Sequence, residues 1–104
     1  MRGRRPASVV RDNLVEMLFV LKKAYGYELA VLYNQIFPSV TQRLIYYHLN
    51  RGTKMKVFNV AEIKKEAGNY SWGQSVEKVY YELGDGAMPK ASERVIEALK
   101  GRVA

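Results

Sequence analysis

Five side chains that can hydrogen-bond nucleic acid fall on one side of a single helical segment. With Gln42 placed at zero and each residue advancing about 100°, Tyr46, Asn50, Arg43 and Tyr47 follow within an arc of about 140°. Arginine matches guanine edges, asparagine and glutamine match adenine edges, and tyrosine hydroxyls reach phosphates. A face that only meets solvent more often carries Glu and Lys, and this arc carries neither. We therefore predict that these five residues read base edges in the major groove of DNA.

The other side of the same segment is apolar. His48 is the only histidine of the chain, and its position on this side indicates a core or interface side chain rather than a ligand or a catalytic base. The helix is thus predicted to pack with one face and to present the other. The residues between about 200° and 340° on the same wheel are Leu44, Ile45, His48 and Leu49.

Two further helices must hold this one in place. Apolar residues keep helical spacing from Val9 to Ala24, and this first helix is apolar nearly all round, as a central core helix is. Gly26 ends that pattern, and a second helix is predicted over about Tyr27 to Phe37. Pro38 stops it, because the residue before a proline is disfavoured in helical geometry.

The turn before the third helix has a capping signature. Ser39 and Gln42 in the sequence SVTQ match a capping box, in which each side chain satisfies a backbone N–H of the other residue. The third helix is predicted to run from Ser39 to about Arg51, with Gly52 at its C-terminal cap. The second and third helices then form a helix-turn-helix, the unit whose second helix enters the major groove in many DNA-binding proteins.

The residues after the third helix change to a strand pattern. Met55 to Ile63 and Val76 to Leu83 are rich in β-forming residues, and turn formers fill the stretch between them. We predict two antiparallel strands and their loop, a wing whose residues 64–75 lie on the DNA backbone. A last helix is predicted over Pro89 to Lys100, with Ala91, Val95, Ile96 and Leu99 on one side.

The predicted fold is therefore α+β, a winged helix-turn-helix with a three-helix core, a two-stranded antiparallel wing and a C-terminal helix. At 104 residues the chain suits one domain. Residues 1–8 are predicted to be a flexible basic N-terminal arm, 9–86 the winged domain, and 87–104 a C-terminal helix that serves as a dimerisation element. A homodimer is expected because the first and last helices offer more apolar surface than one small domain covers.

The positive charge of the chain is confined to two segments. The formal net charge is +7, of which residues 1–11 contribute +4 and residues 39–65 contribute +5, while residues 12–38 and 66–104 contribute −1 each. Such confinement is typical of a protein that binds a polyanion. One of the expected backbone contacts, Trp72, has an equally favoured alternative, in which its ring packs back onto the core or lies in a dimer contact. The side chains expected on the DNA backbone are Arg2, Arg4, Arg5, Arg51, Lys54, Lys56, Lys64, Lys65, Tyr70 and Trp72.

Composition argues against several classes of function. The chain has no cysteine and one histidine, which leaves no disulfide, thiolate zinc site or histidine-rich metal cluster. It contains no Walker-type loop, GxSxG or HExxH motif, so we expect neither enzymatic activity nor a cofactor. No apolar run approaches the roughly 18 residues that span a bilayer, and no signal peptide is indicated. The expected location is the cytoplasm, on the nucleoid, without membrane contact.

Two stretches also resemble a known family. GYELAVLYNQIFPSVTQRLIYYHLNRG looks like the helix-turn-helix of PadR-like and related archaeal winged-helix regulators, and VYYELGDGA is similar to their second wing strand and its exit. The resemblance covers about Leu14 to Leu83 and implies a helix-turn-helix transcriptional repressor that is usually a homodimer. The long C-terminal domain of many PadR proteins has no counterpart here, so the resemblance assigns neither a dimer contact nor an effector pocket.

Three functions remain open on the sequence. The first is sequence-specific binding of double-stranded DNA as a transcriptional regulator. The second is a winged helix used for protein contact, as a small subunit of a transcription or replication assembly. The third is sequence-neutral, chromatin-like nucleic-acid binding, which phosphate contacts alone could support. The polar face of the third helix and the basic surface favour the first.

Overall fold

The computed structural model describes residues 6–67 and 75–102, with side chains over 9–65 and 77–101. These residues form four α-helices and a three-stranded antiparallel sheet, which confirms the α+β class. In chain order the elements are α1 Pro6–Leu21, β1 Ala24–Tyr25, α2 Gly26–Ile36, α3 Gln42–Lys54, β2 Phe58–Ala67, β3 Ser75–Leu83 and α4 Glu93–Ala98, followed by a 3-10 turn over Lys100–Arg102.

Helix α1 is the central core helix, and it begins earlier than expected. It starts at Pro6, so residues 6–8 of the predicted arm are helical, while residues 1–5 lie outside the described part. A proline suits the first turn because no helical hydrogen bond needs its missing N–H. Helix α1 buries most of its apolar residues within its own chain: Val10, Leu14, Val15, Met17 and Leu18.

The connection between α2 and α3 is fixed by side chains at both of its ends. Thr41, not the predicted Ser39, is the N-cap of α3, and its hydroxyl accepts a hydrogen bond from Leu44 N at 3.1 Å. The Asn34 side chain of α2 accepts from Val40 N at 2.8 Å and donates to Val40 O at 3.2 Å. The cap therefore forms two residues later than predicted, and α3 begins at a defined position relative to α2.

The end of α3 also differs from the expectation. Gly52 lies inside the helix and not at its cap, and its hydrogen occupies the place where a Cβ would meet the Phe58 ring at 2.3 Å. The helix continues to Lys54, and Lys56 then turns the chain with a positive φ of 67°. Hydrogen bonds from Gly86 N to Lys56 O and from Gly84 N to Val57 O, both 2.8 Å, join this turn to the segment that leaves β3.

The sheet has one more strand than the predicted wing. Its order is β1-β3-β2, because the two-residue β1 pairs antiparallel with Tyr80 and Tyr81 of β3. Strands β2 and β3 pair from Phe58↔Leu83 to Ala67↔Ser75, with an irregularity in register between Val60 and Glu62. Sequence patterning misses β1 because two residues are too few to show an alternation.

Helix α4 is shorter than the predicted span and packs on α1. Val95 and Leu99 are buried as expected, whereas Ala91 precedes the helix with a positive φ of 57°. Glu16 of α1 accepts hydrogen bonds from the backbone N–H groups of Lys90 (2.7 Å) and Ser92 (2.9 Å). These bonds satisfy N–H groups at the entry to α4, which explains why so short a helix has a fixed place.

One hydrophobic core joins all of these elements except the outer part of the hairpin. Apart from α1, its buried residues are Ala24, Leu29, Ala30, Leu32, Tyr33, Ile45, Leu49, Phe58, Tyr81, Val95 and Leu99. Within the described ranges, no helix combines the length and the hydrophobicity needed to cross a lipid bilayer.

Candidate nucleic-acid interface

Four of the five residues predicted to read bases share an open face of α3. Gln42, Arg43 and Asn50 are exposed, and Tyr47 keeps 51% of its surface in solvent. Within the described part of the chain, the side chains of Gln42, Arg43 and Asn50 make no hydrogen bond or ion pair. Their polar groups therefore need no internal contact to be broken before they can bind a ligand.

Tyr46 is the exception, because it belongs to the packing of the protein. It is partly buried against the core, and its ring lies so close to Gly26 that a Cβ there would approach Cε1 to 2.3 Å. Burial, with a smaller effect from Tyr46, raises the pKa of the neighbouring Tyr81 hydroxyl. Tyr46 thus joins α3 to the start of α2 and to β3, so it is less available to a base edge than the other four predicted residues.

The opposite face of α3 is buried, and it includes a histidine with an unusual environment. The Nη1 of Arg11 lies 3.3 Å from Nδ1 of His48, which therefore accepts this hydrogen bond and carries its proton on Nε2. That Nε2 atom is buried and has no partner within the described part of the chain. Burial, then the charges of Arg11 and Arg51, lowers the pKa of His48. His48 is thus a neutral core side chain that links α1 to α3, with one polar atom left unsatisfied.

Three of the predicted phosphate contacts lie together where α3 ends. Arg51 and Lys54 are exposed on its last turns, and exposed Lys56 occupies the turn that follows.

Arg94 instead has a structural contact, at the C-terminal end of α2. Its guanidinium donates a hydrogen bond to Ile36 O at 2.7 Å and lies 4.8 Å from the centre of the Phe37 ring. Arg94 thereby occupies a carbonyl at the C-terminal end of α2 and stabilises the exit toward α3.

The two lysines predicted on the wing lie on β2, and both have acidic neighbours. Lys64 Nζ is 3.4 Å from Glu62, and Lys65 Nζ is 3.9 Å from Glu77. Desolvation raises the pKa of Glu62, but the hydrogen bonds and charges of Lys64 and Lys23 outweigh it and leave this pKa lower than usual. Because these pairs are exposed, they contribute little to stability and leave both ammonium groups accessible.

Lysine and tyrosine side chains also lie together on the outer face of the sheet, a group that the sequence did not predict. The Tyr25 and Tyr80 rings lie 5.4 Å apart. Lys23 and Lys64 stand 5.8 and 5.0 Å from the Tyr80 ring centre, and Lys78 stands 4.9 Å from that of Tyr25. We call these five residues the Lys–Tyr cluster. The alternation of Lys78 and Tyr80 on β3 is the one signal in the sequence that could have revealed it.

A crevice of about 530 Å³ connects α3 with this cluster. Its lining includes Tyr46 of α3, Tyr27 of α2, Tyr25 of β1, and Glu77 and Lys78 of β3. A second groove, of about 600 Å³, lies between α1, α4 and the segment after β3. Three exposed apolar residues, Val9, Met55 and Met88, line this second groove.

The remaining predicted contacts lie outside the described residues, and the described ones do not assemble a metal site. No group of three or more His, Asp or Glu side chains in the described ranges is placed to hold a metal ion. The predicted backbone contacts that fall outside the described part are Arg2, Arg4, Arg5, Tyr70 and Trp72.

Comparison with protein families adds no assignment to this geometry. No family model matches the chain, and no curated protein matches it.

Proposed function

We propose that this chain is a winged helix-turn-helix protein that binds double-stranded DNA in a sequence-specific manner and regulates transcription. In this proposal α3 enters the major groove, and the β2–β3 hairpin is the wing that lies on the backbone. The role matches that implied by the resemblance to PadR-like regulators, which act as repressors.

The observation that carries the proposal is the open face of α3. Gln42, Arg43 and Asn50 can each offer two hydrogen-bonding groups to a base edge, and none of them is engaged by another described residue. The Thr41 cap and the Asn34 bonds fix where this face begins. A helix that reads bases needs both unengaged polar side chains and a fixed position, because it can discriminate between bases only if its hydrogen-bonding groups are held in place.

Phosphate contacts would supply affinity without sequence preference. Arg51 and Lys54 are basic residues on the last turns of α3, Lys56 follows in the next turn, and Lys64 and Lys65 lie on the hairpin. Each lysine or arginine that neutralises a phosphate should add about one unit to the log–log salt dependence of binding. Specificity and affinity are thereby assigned to different side chains.

Selection of bound sequences from random duplex DNA tests the proposal. We expect the full chain to enrich a defined motif, and the Arg43→Ala variant to lose that preference while keeping its affinity for random duplex. Lys100→Ala is the matched control, because it removes one exposed charge that follows α4 and belongs neither to α3 nor to the hairpin. Binding without an enriched motif would favour the sequence-neutral, chromatin-like role, and no binding at all would refute the proposal.

A homodimer belongs to the same proposal, on narrower grounds than the sequence offered. Helix α1 is covered by its own domain, so the dimer contact is assigned to the groove of about 600 Å³, where Met88 is 85% exposed beside Val9 and Met55. Charges of both signs, including Arg11 and Asp12, line this groove, as a self-complementary two-fold contact requires. The small-molecule effector, if the regulator uses one, is not assigned.

Sedimentation equilibrium at micromolar concentration tests the dimer. We expect Met88→Lys to give a monomer mass, while Val31→Lys, which alters an exposed apolar residue of α2 outside the groove, keeps the dimer. A parent that sediments as a monomer contradicts this assignment without affecting the choice of α3 as the reader.

One observation favours a second function, protein contact within a transcription or replication assembly. Val60 and Ile63 of β2 are 45% and 55% exposed. The irregularity in register that follows Val60 pairs these two apolar residues with Tyr81 and Val79, on one face of the sheet, and an exposed apolar patch is typical of a protein-binding surface. Under this alternative, a Val60→Ser/Ile63→Ser double variant would lose its partner and retain DNA binding. Measuring duplex binding and partner binding on this one variant distinguishes the two functions.

A further inference from the structure

We propose that the Lys–Tyr cluster is a second phosphate-binding surface, which holds the backbone of the same duplex that α3 reads. The inference rests on the proposed DNA binding and deepens it, because it names residues and a partner surface that neither the helix face nor the predicted wing includes. Lys23 and Lys78 are the new members, and Lys64 joins them from β2.

The register of the sheet places these side chains on one face. Tyr80 of β3 is opposite Tyr25 on β1 and opposite Glu62 on β2, and Lys78 is opposite Lys64. Because side chains alternate between the faces of a strand, residues 78 and 80 point the same way. Three ammonium groups from three separate parts of the chain thus meet over two rings that are 5.4 Å apart.

The rings give this surface an order that isolated surface lysines lack. The ammonium groups stand 4.9 to 5.8 Å from the ring centres, within the range of cation–π attraction. A lysine that is already restrained loses less conformational entropy when it binds a phosphate.

Charge within the cluster favours an anion as the ligand. Among the described side chains, Glu62 is the carboxylate that both Lys23 and Lys64 contact, each at 3.4 Å. One carboxylate shared by two ammonium groups leaves an excess of positive charge, and such exposed pairs are weak enough for a phosphate to compete with them. Glu82, two residues beyond Tyr80 on the same strand, marks the end of the cationic part.

Position identifies the anion as the backbone of DNA bound at α3. Tyr25 and Lys78 of the cluster line the same crevice as Tyr46 of α3 and Tyr27 of α2. The phosphates that border an occupied major groove are the anions nearest to such a site. Helix α3 and the cluster therefore border one crevice, whose lining also includes a carboxylate, Glu77.

The test is the salt dependence of duplex binding by a Lys23→Gln/Lys78→Gln double variant of the full chain. We expect its log–log slope to be smaller by about two and its affinity at 0.1 M salt to be lower by roughly tenfold or more, on every duplex alike. The matched control is Lys22→Gln/Lys100→Gln, which removes two exposed charges outside the cluster and outside the groove of the proposed dimer contact and should change the slope much less. Equal losses in both double variants, or no change in slope in the first, would overturn the inference.

A second pair of variants examines the role of the rings. Tyr80→Leu keeps every charge but removes the ring, and we expect its duplex affinity to fall several-fold. Tyr80→Phe keeps the ring and should bind duplex as the parent does. Thermal melting of both variants shows whether the fold is intact. If Tyr80→Leu instead loses only single-stranded oligonucleotides, the rings stack unpaired bases and the phosphate assignment is wrong. Loss of motif preference in Arg43→Ala reports on the proposed function separately, and a parent that binds no duplex overturns both.

Discussion

The two faces of α3 perform different tasks within the same thirteen residues. On the inner face, Ile45, His48 and Leu49 are completely buried. On the outer face, Arg43 and Asn50 are exposed and have no partner in the described part of the chain. Folding therefore depends on the inner face, and the proposed DNA binding would use the outer one, so that substitutions on a single helix can separate stability from affinity.

Tyr46 and His48 show where this division is incomplete. Tyr46 lies within the arc of the outer face but is held against Gly26, so that it positions α3 instead of remaining free. His48 lies on the inner face and still has an unsatisfied Nε2. Both residues couple α3 to a neighbouring element, Tyr46 to α2 and His48 to α1.

The largest effect is expected from the inner face. Leu49→Ala removes most of a fully buried side chain and should lower the free energy of unfolding by roughly 2–5 kcal/mol. Urea denaturation of the parent and the variant measures this difference. Asn50→Ala is the matched control, because it changes the adjacent exposed residue and should shift the unfolding midpoint little. If the two variants were equally destabilised, the division of α3 into two faces would be refuted.

The outer face should give the next largest effect, and it should appear in binding rather than in stability. Arg43→Ala is expected to cost about 1–3 kcal/mol on the preferred site and much less on random DNA. Fluorescence anisotropy with both duplexes gives the two affinities, and the melting temperature should stay close to that of the parent. If the variant binds its best site as tightly as the parent does, α3 is not the reader and the protein-contact function takes precedence.

The sequence predicts the two faces well because helical periodicity repeats over several turns. Ile45 and Leu49 are buried and Arg43 and Asn50 are exposed, as the helical wheel requires. What it misses depends on tertiary contacts. Gly52 resembles a cap in sequence, but it is inside the helix because the Phe58 ring needs the space of its side chain.

Elements too short for a period are missed for a similar reason. Strand β1 has only two residues and exists because β3 pairs with it. The Lys–Tyr cluster needs that strand, since Lys23 and Tyr25 are about fifty residues distant in sequence from Lys78 and Tyr80. Charge counting over segments could not detect it, because residues 12–38 and 66–104 each have a net charge of −1.

A smaller effect is expected from the cap of α3, where sequence and structure name different residues. Thr41→Ala removes the hydroxyl that accepts from Leu44 N and should lower the free energy of unfolding by about 1 kcal/mol. Ser39→Ala, which removes the residue predicted as the cap, should change it by less than about 0.5 kcal/mol, as exposed positions usually do. Chemical denaturation of the two alanine variants decides between them, and a larger loss in Ser39→Ala would restore the capping box.

The smallest effect should be a slope in stability against pH, and it comes from His48. Its pKa is lowered in the folded protein, whereas the unfolded chain binds a proton with the ordinary value near 6.5. Below that pH the unfolded state carries more protons than the folded state, so stability must fall as the pH decreases. We expect the free energy of unfolding to decline between pH 7 and 5.5, as measured by urea denaturation at several pH values.

His48→Gln isolates this contribution, because an amide can still accept the Arg11 hydrogen bond and does not titrate. Whatever the overall stability of the variant, the slope of its stability between pH 7 and 5.5 should be flatter than that of the parent, since His48 is the only histidine. Carboxylates do not obscure the comparison: the lowered pKa of Glu62 gives stability that is lost only as the pH falls below the usual glutamate range near 4.3. Parallel curves for the parent and His48→Gln would show that the imidazole is equally easy to protonate in both states. The contact between Arg11 of α1 and His48 of α3 would then not depend on a neutral imidazole.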